Sequence, residues 1–156
     1  MIILDTDIAS AFAKVFAVEL LVKNVDKNLL ISKAVYEELQ IPFEHGFDFP
    51  KEIFKFCEII FLQKEEINLY LSLKSKYPLG KGELESITIA KARNIPFLSF
   101  DKKAINICLK ENVRVITPAS LFLFLKTKIG EKVFKLVEEI EEKDNRDLSF
   151  VRKILT

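Results

Sequence analysis

The sequence predicts an α/β protein with helices on both faces of a central, mainly parallel sheet. Short apolar runs alternate with helix-length segments through the first 116 residues, the β-α-β-α rhythm of a parallel sheet. Two of these runs, Ile2-Ile3-Leu4 and Phe97-Leu98-Ser99-Phe100, stop abruptly on an acid, Asp5 and Asp101. They are near-continuous apolar runs, broken only by Ser99, rather than alternating, as a strand buried on both faces requires. From about residue 118 onward the chain carries no strand signal and reads as wholly helical.

The elements follow in order. Residues 2–4 form a first strand, and Ala9 to Val22 reads as one apolar, Ala-rich helix. Asn28 to Ile31 is a second short strand, followed by a helix from Ser32 to about Leu39 with Ser32 suited to cap it. Ile41 to Pro50 holds two prolines, a glycine and the only histidine, His45, and reads as irregular. Glu58 to Leu62 is a third strand, and Lys64 to about Ser75 a charged amphipathic helix ending before a turn at Tyr77–Gly82. Glu83 to Arg93 is helical, Pro96 to Phe100 a strand, Lys102 to Glu111 a helix, and Val113 to Ile116 the final strand. Pro118 starts the C-terminal helices, which break at Gly130 and around Asp144-Asn145. The whole chain, 1–156, is expected to be one domain, about 1–120 its α/β core and about 118–156 its helical end.

Bulk properties exclude several classes. With 49% hydrophobic and 30% charged residues the composition is that of a soluble globular protein. No stretch is long and apolar enough to span a membrane, and no basic leader precedes the first apolar run. Cys57 and Cys108 are isolated and fit two reduced thiols in a cytoplasm. A single histidine cannot build a His-based metal cage. The net charge of +1 projects no global field toward nucleic acid, so any such contact must come from local lysine clusters.

The acids carry the chemistry. In an open parallel sheet the strands' carboxyl ends share one edge, where ligands bind. Asp5 and Asp101 both fall there, although either acid could simply cap the helix that follows it. In the helix around Ser32-Lys33-Ala34-Val35-Tyr36-Glu37-Glu38-Leu39, Val35 and Leu39 define the buried stripe. Glu38 flanks that stripe, whereas Glu37 lies opposite it. A further acid comes from Gly80-Lys81-Gly82-Glu83-Leu84-Glu85, where the helical wheel does not choose between Glu83 and Glu85. Four carboxylates in one cleft stay ionised together only around a cation. Oxygen-only ligation suits Mg²⁺ or Mn²⁺, ions that support phosphodiester cleavage.

Taken in order, LDTDIAS, ISKAVYEELQ, LGKGELESITIAKA and PFLSFDKKA resemble the motifs of PIN domains, and among them the VapC-type ribonuclease toxins. The resemblance spans about residues 1–120 and implies a three-layer, Rossmann-like α/β/α fold. It also implies a metal-dependent ribonuclease that hydrolyses single-stranded or structured RNA with Mg²⁺ or Mn²⁺. Asp5 and Asp101 would be metal ligands and Glu38 the second-motif acid. Glu83 would be the third, because it stands eighteen residues before Asp101, with Glu85 in reserve. Thr6 and Ser99 occupy the places of supporting hydroxyls. A small antitoxin, a homodimer and a cytoplasmic setting are the partners and location that go with such a toxin.

Asp7 stands where the family often has Ser or Asn, and is left as a helix-start residue. Glu83 reaches further than the Asp more usual there, which would shift or weaken metal binding. Lys33, Lys81, Lys102 and Lys103 lie near the acid edge and are the candidate phosphate contacts. Two other readings stand beside this one. The fold could serve as a catalytically weak RNA- or protein-binding module. Alternatively, Asp5-Thr6-Asp7 resembles the first motif of haloacid dehalogenase-type phosphatases, although the chain lacks the later acid pair those enzymes use. The apolar residues Leu121, Phe122, Phe124, Leu125 and Phe134 fit either a core or a dimer surface, with core expected.

Overall fold

The computed structural model describes residues 1–156. Five strands form one wholly parallel sheet: β1 (Ile2–Leu4), β2 (Leu29–Ser32), β3 (Cys57–Ile60), β4 (Phe97–Leu98) and β5 (Val115–Ile116). Their order is β3-β2-β1-β4-β5, so the first strand is central. Ile3 sits in register with Leu30 on one side and Phe97 on the other. The chain builds outward from β1 to β3, then doubles back past β1 to lay down β4 and β5. That reversal places the switch point between β1 and β4, where the connections leaving the two strands part and open a crevice.

Ten helices cover the sheet: α1 (Thr6–Lys14), α2 (Val18–Asn24), α3 (Lys33–Glu44), α4 (Phe49–Phe56), α5 (Ile67–Lys76), α6 (Lys81–Arg93), α7 (Lys102–Lys110), α8 (Pro118–Ile129), α9 (Lys132–Lys143) and α10 (Ser149–Leu155). Side chains alternate across each strand and sort the helices into two layers. Ile2, Leu4, Leu29, Ile31 and Leu98 pack with α1–α4 and α8–α10, whereas Ile3, Leu30 and Phe97 pack with α5, α6 and α7. The result is the three-layer α/β/α arrangement that the sequence predicted. The C-terminal helices belong to the first layer: Leu121, Phe122 and Leu125 are buried, and Phe122 stacks on Phe12 of α1 with ring centroids 6.0 Å apart. Burial of such a side chain contributes about 1.5–3 kcal/mol, so this segment is a structural part of the core. Phe134 packs partly against it, and Phe124 stays 42% exposed.

Two expectations fail locally. The helix expected over Ala9–Val22 is two helices, broken where Phe16 takes a left-handed φ of 55°. Neither glycine nor proline announces this break. The segment expected to be irregular, Ile41–Pro50, continues α3 through Pro42 to Glu44 and then starts α4. Pro42 is carried inside the last turn of α3, two residues before its end. Pro50 occupies the first turn of α4, a position proline favours.

Candidate functional site

Asp5 leaves the end of β1 and divides its two oxygens. Oδ1 accepts the amides of Asp7 (2.9 Å) and Ile8 (3.2 Å), capping α1. Oδ2 accepts the hydroxyl of Ser99, which leaves β4 on the far side of the switch point. Capping and site-building are therefore not alternatives here, because one carboxylate does both. Ser99 also accepts the amide of Asp101 at 3.0 Å. Asp101 in turn caps α7, its Oδ1 accepting the amide of Lys103 at 2.9 Å. Ser99 is wholly buried, so a single hydroxyl ties both strand-end acids to one rigid position.

The other acids come from α3 and α6. Ser32 caps α3 through the amide of Val35. This sets the rotation of the helix, and Glu38 turns toward the sheet edge while Glu37 pairs with Lys33 on the surface at 3.7 Å. Glu38 accepts the Thr6 hydroxyl on one oxygen and the Gly82 amide, at 3.1 Å, on the other. Gly82 permits that approach, since a Cβ there would lie 2.9 Å from the Glu38 carboxyl carbon. The packing of α6 turns Glu83 and Glu85 in different directions. Glu85 is buried away from the crevice and accepts the amide of Ala34 at 3.0 Å, holding α6 to the start of α3. Glu83 faces the crevice and Asp101.

These residues enclose a cavity of about 110 Å³ lined by Asp5, Thr6, Asp7, Glu38, Gly80, Glu83 and Asp101. Five carboxylates and no basic side chain share it. The cost of crowding them is visible. Burial pushes the Asp5 carboxyl up to about 6, despite the hydrogen bonds from Ser99 and the α1 amides that pull it down. Glu83 is raised to about 7, first by desolvation and then by the facing Asp101, with Asp5 and Asp7 adding to it. Its Oε2 is buried without a hydrogen-bond partner. An orphaned buried carboxylate oxygen among like charges fits a hard divalent cation, and an all-oxygen donor set suits Mg²⁺ or Mn²⁺. No three of the acids already converge as a chelate. Glu38 is engaged by Thr6 and Gly82 instead, and Glu83 by Asp101.

Asp7, which sequence reasoning left without a role, lines the cavity from the first turn of α1. Its place two residues after Asp5, on a helix beginning at the sheet edge, is the signal that could have included it. None of the four expected phosphate-binding lysines lines the acid cavity. Lys33 pairs with Glu37, and the ammonium of Lys103 donates to the carbonyl of Pro78 at 2.9 Å. Lys81 and Lys102 are exposed at the first turns of α6 and α7.

An open parallel α/β domain with a carboxylate cavity at its switch point is thus the class of protein that this chain forms. A family model described as PIN domain matches residues 1–152, and the chain belongs to that family. This membership also sets aside the phosphatase reading of Asp5 and Asp7. Among solved structures, a chain in the crystal structure of VapBC2 from Rickettsia felis, bound to a DNA fragment from their promoter, has a similar fold. The TM-score is 0.54 at 20% identity, over 75% of this chain and 98% of that one. No curated protein matches the sequence.

Proposed function

We propose that this PIN domain is a Mg²⁺- or Mn²⁺-dependent ribonuclease that hydrolyses phosphodiester bonds in single-stranded or structured RNA. The supporting observation is the cavity itself: five carboxylates, one with a buried unpartnered oxygen, and no side chain to neutralise them. Asp5, Glu83 and Asp101 would hold the ion, with Glu38 and Asp7 completing the acidic wall. When bound, such an ion polarises the phosphodiester and lowers the pKa of water in the site. The chain contributes position. Ser99 fixes Asp5 and Asp101 relative to each other, and Thr6 with the Gly82 amide orients Glu38. Glu38 itself stands exposed at the rim of the cavity.

The test is cleavage of a labelled single-stranded RNA with and without Mn²⁺, alongside the Asp101→Asn variant. The expected result is cleavage that needs metal and is lost in the variant. If Mn²⁺ produces neither cleavage nor a thermal shift, the proposal fails. A second reading, a catalytically weak RNA- or protein-binding module, is favoured by the absence of a preformed chelate and by the longer reach of Glu83. Metal-independent RNA binding without cleavage would select it.

The fold likeness to a chain of the VapBC2 complex supports a toxin of a toxin–antitoxin pair, with a small antitoxin as partner. Co-purification with the product of an adjacent small gene, and growth arrest relieved by it, are the expected results. A cytoplasmic homodimer completes this reading, to be checked by mass in solution. No helix is long and apolar enough to cross a membrane.

A further inference from the structure

Beside the acid cavity lies a second hollow, of about 430 Å³, lined by Tyr77, Pro78, Lys103, Asn106, Ile107 and Lys110. Its chemistry is the reverse of its neighbour's, with two ammonium groups, an amide, an aromatic ring and no acid. Lys103, Asn106 and Lys110 recur at helical spacing and form one exposed stripe along α7, about 10 Å long at 1.5 Å per residue. Ile107, beneath the stripe, is buried and anchors the helix.

The two cavities share their walls. The Tyr77–Gly80 segment supplies Tyr77 and Pro78 to the hollow and Gly80 to the acid cavity. The start of α7 supplies Asp101 to one and Lys103 to the other. Lys103 bridges the segments, its amide on Asp101 and its ammonium on the carbonyl of Pro78. Tyr77 is held still because its hydroxyl donates to Glu111 at 2.5 Å, leaving the ring as its contribution to the hollow. Glu111 is further occupied by Lys91 and Lys76, so it does not compete for the cations of the stripe. Lys110 makes no ion pair within the chain.

We infer that this hollow is a nucleotide subsite, seating a base and phosphate next to the bond held at the acid cavity in a single-stranded polynucleotide. The inference rests on the nuclease reading of that cavity. An aromatic ring offers any base a stacking surface. The Asn106 amide can pair with a base edge, and the two ammoniums neutralise phosphate with release of counterions. The volume falls in the range of small-ligand pockets. A polyanion is thus drawn to the basic side of the edge, and its adjoining phosphate is delivered to the acidic side, where a cation is required.

The test measures binding and cleavage separately. Binding of a fluorescent single-stranded oligonucleotide of about eight nucleotides is followed by anisotropy for the wild type, Lys110→Glu, Asn106→Ala and the remote surface variant Lys153→Glu. The expected result is binding weakened about tenfold in Lys110→Glu and severalfold in Asn106→Ala, with Lys153→Glu like the wild type. The slope of log affinity against log salt should fall by about one in Lys110→Glu. All of these side chains are exposed, so folding is not at stake, and circular dichroism verifies it. Wild-type affinity in both hollow variants overturns the subsite, even if Mn²⁺-dependent cleavage is present and the nuclease reading stands. Loss of binding in the variants, with no cleavage by the wild type, supports the subsite and overturns the nuclease reading. If the wild type binds no oligonucleotide, the subsite falls.

Discussion

Glu38 accepts the backbone amide of Gly82 at 3.1 Å, in a space that a single added methyl group would fill. Glu38 is therefore positioned by a glycine on another helix. The Gly82→Ala substitution should push the Glu38 carboxylate out of place. Because that carboxylate is the far end of an exposed side chain, it can move without unfolding anything. Alanine also gains up to about 1 kcal/mol of helix propensity over glycine. The expected outcome is a melting temperature close to wild type with RNA cleavage reduced tenfold or more, measured on the same preparation.

Glu83 and Glu85 should separate cleanly. Glu83→Gln is expected to abolish cleavage and the Mn²⁺-induced thermal shift. Glu85→Gln keeps an oxygen to accept the Ala34 amide and should keep both. Glu85→Ala leaves that buried amide unpaired and should cost about 1–3 kcal/mol in urea unfolding.

Asp101→Asn preserves an oxygen for the Lys103 amide while removing the charge that faces Glu83. Cleavage should disappear and stability should hold or rise. The midpoint of Glu83, about 7 in the wild type, should move down toward the ordinary carboxylate range. NMR titration of the Glu83 side chain measures that movement.

The cavity also sets a pH dependence in the metal-free protein. Asp5 is raised from 3.8 to about 6, so the folded state binds its proton more tightly than the unfolded state does. Stability from this group is complete below about pH 4 and is lost as pH rises through about 6. At 1.36 kcal/mol per unit the loss is about 3 kcal/mol at most. Glu83 extends the same trend toward about 7, attenuated by its exposure to solvent. Asp5→Asn, with an equally good capping residue, should flatten this component in urea midpoints compared across that range. Mg²⁺ or Mn²⁺ should stabilise the wild type more at about pH 8 than at about pH 5, because protons and cation compete for the same oxygens.

Much of this was legible in the sequence because it is local chemistry. An apolar run ending in an acid specifies a buried strand with a carboxylate at its mouth, and both Asp5 and Asp101 stand there. Ser32 as cap, Pro118 at a helix start and Gly130 as a break are likewise decided within a few residues. Phe16 was not legible, since a left-handed phenylalanine carries no local signal: its own ring stays exposed, and it is Ala13, Ala17 and Val18 on either side that are buried in the core. Prolines misled as well: Pro50 sits in the first turn of α4, where its missing amide would have no helical partner, and Pro42 is carried inside the last turn of α3 rather than in a loop.

The sequence by itself determined that this is a parallel α/β protein with acids gathered at one edge of its sheet, because strand and cap propensities act over neighbouring residues. Only the tertiary structure decided which acids meet. The strand order places β4 beside β1, so that Ser99 joins Asp5 to Asp101. The packing of α6 on α3 turns Glu83 into the cavity and Glu85 out of it. Asp7, adjacent in sequence yet assigned no role by it, enters the cavity with the first turn of α1. Repulsion among these carboxylates depends on distances of a few ångströms between residues up to about a hundred positions apart, and no spacing along the chain encodes those distances.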